Sequence, residues 1–219
     1  ALESLGRSAS FSVPTGNFGN VLAGWIAKQM GAEVEKLIVG SNSNDILTRF
    51  FETHRMDMLP VVPTLSPSMD IQISSNFERL LFEMNDRDGG ATTEQLQKFR
   101  QTGNMSVEPD QFAQWITPNF RAHRASDEET LAVMKRVYTA SGMLVDPHTA
   151  VGIASAEACA EPGIPTITLA TAHPAKFPDA VKKATGVHPA LPDHVADLFD
   201  RSERICLLYT SPSPRDQRG

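Results

Sequence analysis

The stretch Ser10-Phe11-Ser12-Val13-Pro14-Thr15-Gly16-Asn17-Phe18-Gly19-Asn20-Val21-Leu22 decides the fold. Its first four residues form an apolar, strand-like run, and a glycine-rich turn follows. Leu22, Trp25, Ile26 and Met30 then recur on one stripe at helical spacing, with Gly31 as a left-handed stop. The next segment repeats the pattern. Lys36-Leu37-Ile38-Val39-Gly40 is a short continuous apolar run suited to a strand buried on both faces, and residues 44–52 read as a helix with Ile46, Leu47, Phe50 and Phe51 inward. Two β-α units in succession imply parallel strands joined by right-handed crossovers. The fold class predicted is therefore α/β, an open, mostly parallel twisted sheet with helices on both faces.

Further along, residues 60–67 are proline-rich and extended. Ser75-Asn76-Phe77-Glu78 has the spacing of a capping box opening a helix over 76–84, and Ser126-Asp127-Glu128-Glu129 has the same spacing before a helix running through Tyr138. Between them, residues 86–125 are polar with weak helical periodicity over 93–102, which predicts a small helical insertion on the flank of the sheet. Asp146-Pro147 starts another helix, over 148–160, because proline at the first helical position is pre-organised for it. That helix is rich in alanine and glycine and so suited to close packing. Residues 165–170 form a further buried strand, followed by Thr171-Ala172-His173-Pro174-Ala175-Lys176-Phe177 and a helix over 178–184.

With 219 residues, 41% hydrophobic and 21% charged, the chain suffices for a real core in one large or two small domains. A net charge of -6, from 20 Lys+Arg against 26 Asp+Glu, argues against nucleic acid as a partner. Cys159 and Cys206 are too few for a disulfide framework, which points to a reducing, cytoplasmic setting. No apolar run approaches the roughly 20 residues that cross a bilayer, so a membrane partner is not expected. The six histidines include no pair three or four residues apart, so no local metal motif is present, and no Gly-x-Ser-x-Gly elbow occurs. The ends are unusual. The chain opens at Ala1 almost directly on a strand and reads as the middle of something longer. After a charged helix over 200–204, residues 206–219 show no periodicity and resemble translated adapter sequence, a natural Ser/Pro-rich tail being the alternative. Residues 1–205 are taken as the native portion.

Two stretches carry candidate chemistry. Where a strand hands over to a helix, backbone N–H groups point outward unpaired and the helix dipole adds partial positive charge, so Gly16-Asn17-Phe18-Gly19-Asn20 makes an anion cradle that needs no lysine. Thr15, Asn17 and Asn20 add side-chain donors. The loop lacks the Gly-Lys-Ser/Thr ending of a Walker loop and the three glycines of the dinucleotide fingerprint, and an ordinary strand-to-helix turn is the plain alternative. Thr171 to Phe177 also follows a strand, at the edge where open α/β sheets bind ligands. There the Thr171 hydroxyl suits a heteroaromatic nitrogen and His173 and Lys176 suit an anion, although a strand-end threonine also serves as a cap and a lysine is usually solvated. His148, just inside a helix start, reads as a packed or capping residue rather than a base.

Taken in order, residues 12–20, 37–47, Pro67-Ser68-Met69-Asp70-Ile71, Ser75-Asn76-Phe77-Glu78-Arg79-Leu80, Asp146-Pro147-His148-Thr149-Ala150 and 171–177 closely resemble the bacterial threonine synthases. These are pyridoxal 5'-phosphate (PLP) enzymes of the tryptophan-synthase-β fold type. The likeness runs from about Ser10 to about Arg204 and falls on the C-terminal portion of the family's chain. It implies a carbon–oxygen lyase that converts O-phospho-L-homoserine and water into L-threonine and phosphate. It also implies that Gly16, Asn17, Phe18, Gly19 and Asn20 hold the cofactor phosphate, mainly through backbone donors, with Thr171 against the pyridine nitrogen. Asp70, Asn76 and Arg79 face the substrate side in that pattern, but could equally be helix-start electrostatics. The Schiff-base lysine belongs to an upstream element of the family. None of the seven lysines here stands in its context, so no catalytic residue is assigned and the missing N-terminal part becomes an expected partner. The competing reading is a stand-alone, non-enzymatic phosphate- or PLP-binding module.

Overall fold

The computed structural model describes residues 8–207. The proposed tail over 206–219 lies outside the described residues from position 208 onward. Among the described residues, those up to Pro189 form one compact unit and those from Ala190 a second.

The first unit is built on a four-stranded sheet in the order β5-β2-β1-β6, with every neighbouring pair parallel. Its strands are β1 (Ala9–Pro14), β2 (Val34–Ser41), β5 (Phe120–Arg124) and β6 (Thr166–Thr168). Alternation along β1 and β2 sorts their side chains onto two faces. On one face Val13, Leu37 and Val39 join a core with helices α1 (Gly19–Gln29), α2 (Ile46–Thr53) and α3 (Phe77–Met84). On the other lies α7 (Pro147–Ala158), backed by α6 (Asp127–Ser141) and α8 (Pro178–Thr185). Helices thus cover both faces, as the β-α repeat predicts.

Small residues set the distance between α7 and the sheet. A Cβ added at Gly152 would stand 3.0 Å from Thr168 and 3.1 Å from Pro14, and one at Gly40 would stand 2.8 Å from the Ser155 hydroxyl. The Ser12 hydroxyl donates to the Gly152 carbonyl across the same gap, at 2.6 Å. This near approach holds the ends of β1 and β6 together.

Several expectations are corrected. In the first helix Val21, Leu22 and Trp25 are buried, but Ile26 and Met30 face solvent, at 44% and 82% exposure. The segment 86–125 is only partly helical. It holds α4 (Gly89–Thr102) and α5 (Pro109–Trp115), but β4 (Asn104–Ser106) pairs antiparallel with β3 (Arg55–Asp57), and β5 is the edge strand of the main sheet beside β2. Strand β5 has charged residues at three of its five positions, Phe120-Arg121-Ala122-His123-Arg124 counting the histidine, as edge strands do, and so lacks an apolar-run signature. The charged helix expected over 200–204 does not form. The second unit has 3-10 turns at Asp193–Val195 and Leu198–Asp200, and residues 201–207 have no regular structure. Of the two capping boxes, the one at Ser126 and Glu129 forms with both reciprocal bonds.

Candidate active site

The chain leaves β1 and enters α1 through Thr15 to Phe18. Phe18 adopts a left-handed conformation, φ 61°, an uncommon choice for a residue with a large side chain. Such a conformation costs on the order of 1–3 kcal/mol. Burial offsets it. The ring is 1% exposed and meets Phe77 edge-on at 5.3 Å and Phe120 at 5.9 Å. The phenyl group is therefore a core anchor, and only the backbone of Phe18 faces the loop.

Carbonyls of the loop are tied down from a neighbouring segment. The Ser74 hydroxyl donates to the Gly16 carbonyl at 2.9 Å, and both the Asn76 backbone N–H and its side-chain amide donate to the Asn17 carbonyl, at 3.1 and 2.9 Å. The amides are left over. Among the described residues, none accepts a hydrogen bond from the N–H of Asn17, Phe18, Gly19, Asn20 or Val21. The same residues help line a cavity of about 190 Å³, bounded by residues 13 to 21, at the positive end of α1, whose first turn carries no acidic residue. Unpaired N–H groups at a helix start are an anion site. Asn17 and Asn20 are exposed at its rim.

Two details differ from the sequence reading. Thr15 is buried and its hydroxyl donates to the Val13 carbonyl at 2.5 Å, so it offers no donor to the cavity. The capping box at Ser75 is absent. Asn76 is the N-cap residue of α3 and makes no side-chain cap bond; its Nδ2 donates across to the Asn17 carbonyl. Ser74 and Asn76 are the residues whose role in shaping the loop was not legible. A serine and an asparagine before a helix signal a cap, and only the fold shows that they reach across to another turn.

The second stretch lies beside the first. Strand β6 pairs with β1 in the register Ser12 to Thr168, so Thr171, three residues past Thr168, is level in count with Thr15, three residues past Ser12. Chain order runs from β1 to β2 on one side of β1, while β6 flanks its other side. The two loops therefore open at a topological switch point, where ligands of open α/β sheets bind. Thr171 is exposed and its hydroxyl has no partner among the described residues. His173 caps the 3-10 turn Pro174–Lys176, its Nδ1 accepting from the Ala175 N–H at 3.2 Å, and Lys176 is exposed with its Nζ 6.0 Å from the Phe177 ring.

Comparison with known proteins finds threonine synthases. The family model for the threonine synthase C-terminal region matches residues 149–212. A threonine synthase from Pseudomonas aeruginosa is 50% identical over 204 residues, covering 92% of this chain and 43% of the relative. Among solved structures, the PLP-bound threonine synthase from Brucella melitensis superposes with a TM-score of 0.89 at 48% identity, covering 94% of this chain and 45% of that one. The chain matches the threonine synthase family over that family's C-terminal portion. The yeast threonine synthase structure, at TM-score 0.82 and 36% identity, covers 90% of this chain and 43% of its own. The chain thus spans less than half the length of the threonine synthases it matches.

Other polar residues tie the surrounding chain together. Asp70 accepts from the Asn42 amide at 2.8 Å, the Asn44 amide at 3.0 Å and the Thr64 hydroxyl at 2.6 Å, which pins the extended 60–67 segment to the end of β2. Asp146 caps α7, accepting from the His148 N–H at 2.8 Å, the Thr149 N–H at 3.4 Å, His148 Nδ1 at 3.0 Å and the Thr149 hydroxyl. Burial disfavours the Asp146 charge, but these hydrogen bonds outweigh it and hold the carboxyl below the usual carboxylate range. Among the described residues there is no cluster of three metal-ligating side chains, and no helix is long and apolar enough to cross a membrane.

Proposed function

We propose that this chain contributes, within a threonine synthase, the part of the cofactor site that binds the PLP phosphate and meets the pyridine nitrogen. Gly16, Asn17, Phe18, Gly19 and Asn20 receive the phosphate and Thr171 meets the ring. The observation that carries this reading is the set of five backbone N–H groups, from Asn17 to Val21, left without acceptors around one cavity. They fit a phosphate because Gly16 and Asn17 carbonyls are held away, so donors alone face the anion. When bound, PLP supplies an electron sink for negative charge on the substrate carbons. The Thr171 hydroxyl, unlike a carboxylate, does not keep the ring nitrogen protonated, so proton placement falls to other groups of the complete enzyme. The reaction served is the carbon–oxygen lyase conversion of O-phospho-L-homoserine and water to L-threonine and phosphate.

No lysine of this chain stands ready to hold the cofactor covalently. Lys28 and Lys36 lie at the opposite end of the sheet, donating to the carbonyls of Glu35 and Pro118. Lys98, Lys135, Lys182 and Lys183 are exposed on α4, α6 and α8, and Lys176 is exposed in its 3-10 turn. The rest of the family's chain is the proposed source of that lysine. An apolar cavity of about 370 Å³, lined by Phe11, Val13, Ala23, Ala27, Leu37 and Leu169 beside the short edge strand β6, is a surface suited to its docking. Reduction of the chain with borohydride in the presence of PLP is expected to leave no stoichiometric pyridoxyl adduct at one lysine, as read by peptide mass spectrometry. A clean single-site adduct would overturn the assignment.

A further inference from the structure

His148 belongs to neither loop, yet it touches the supports of both. It is 4% exposed at the start of α7. Its Nε2 lies 3.3 Å from the backbone N–H of Ser68, which only donates, so Nε2 accepts and the ring proton sits on Nδ1, facing Asp146 Oδ1 at 3.0 Å. Ser68 in turn presses on the phosphate loop. Its carbonyl oxygen occupies the space a side chain at Gly16 would need, 2.6 Å from the position of an added Cβ. On its other side the imidazole packs on Phe177, the last residue of the Thr171–Phe177 stretch, with ring centroids 4.7 Å apart.

We propose that His148 is a positioning residue. Oriented by Asp146, it fixes the Ser68 turn against Gly16 and Phe177 against α7, and so sets the spacing between the phosphate loop and the ring-edge loop. This rests on the reading of those two loops as the two ends of one cofactor site. No residue touching the ligand would be removed by changing it.

The test uses two polar replacements that divide the imidazole's roles. A glutamine amide places its oxygen where Nε2 stands and retains an acceptor for Ser68, whereas an asparagine amide reaches only the Nδ1 position. In the full 219-residue chain, His148→Asn is expected to weaken binding of inorganic phosphate about five-fold, the effect of one hydrogen bond. His148→Gln should restore affinity to within about two-fold. Equal affinities in two folded variants would overturn the proposal. If the unmutated chain binds no phosphate, the reading of the loop fails, and His148 is still judged on ligand-free backbone NMR. The Gly16 and Ser68 amide signals should then move in His148→Asn and stay in His148→Gln, and their staying in both overturns it. Should either variant not fold, nitrogen NMR of the unmutated chain decides, since a proton on Nε2 rather than Nδ1 is incompatible with the role.

Discussion

Asp146→Ala is expected to destabilise the chain by about 3–5 kcal/mol, the largest effect of any single substitution considered, measured by urea denaturation at neutral pH. Three losses add. The cap of α7 goes, at about 1 kcal/mol. The buried His148 Nδ1–H and Thr149 hydroxyl lose their acceptor, at about 1–3 kcal/mol each. Residual relaxation keeps the sum from being fully additive. The same carboxylate makes stability depend on pH. Its folded pKa is depressed, so its contribution is fully present above the ordinary carboxylate pKa and is lost as pH falls through the folded value. Below about pH 4 the parent should therefore lose stability more steeply than Asp146→Ala, whose acid curve lacks this contribution. Parallel acid curves for the two proteins would contradict the assignment of Asp146 as a buried, charged cap.

Gly16→Ala is the second. The new methyl group would meet the Ser68 carbonyl oxygen at 2.6 Å and the Met69 Cα at 3.2 Å, both backbone atoms that cannot swing aside. Either the loop or the Ser68 turn must shift, at a cost of about 1–3 kcal/mol. A displaced loop no longer aims its N–H groups at one point, so phosphate affinity should fall at least about ten-fold, as geometry-dependent hydrogen bonds to a charged group are lost together. Gly19→Ala is the control. Its Cβ would find only the Asn76 side-chain nitrogen, at 3.5 Å, an ordinary contact. Stability should stay within about 0.5 kcal/mol of the parent there, as for an unstrained surface change. Isothermal titration with phosphate and urea denaturation separate the two positions. Equal behaviour of the two variants would mean that Gly16 is not where the loop is shaped.

Much of the architecture is legible because its signals are local. β1, β2, α1 and α7 each carry an apolar period or a cap in their own residues, and the Asp146-Pro147 start and the Ser126 capping box are realised as spelled. What escapes is non-local. Strand β5 earns its place only by pairing with β2, and β3 and β4 are three-residue strands that exist because each meets the other. Ile26 and Met30 follow helical spacing yet lie beyond the arc that the core covers. The site divides in the same way. Gly16 to Asn20 is conspicuous as a glycine-rich turn, but what makes it a donor cradle is Ser74 and Asn76 holding its carbonyls from about sixty residues away, in a segment whose letters spell a capping box. Thr15 shows the converse, a donor by type whose hydroxyl is consumed by its own strand.

The most direct test of the account is a titration of the ¹⁵N-labelled chain with pyridoxal 5'-phosphate, followed by backbone amide shifts. The expected result is saturable movement concentrated at Asn17, Phe18, Gly19, Asn20 and Val21, with Thr171 moving in step and excess inorganic phosphate reversing the loop shifts. Loop amides that stay still while the ligand saturates, or shifts centred on surface lysines instead, would contradict the claim that this turn is the phosphate end of the cofactor site.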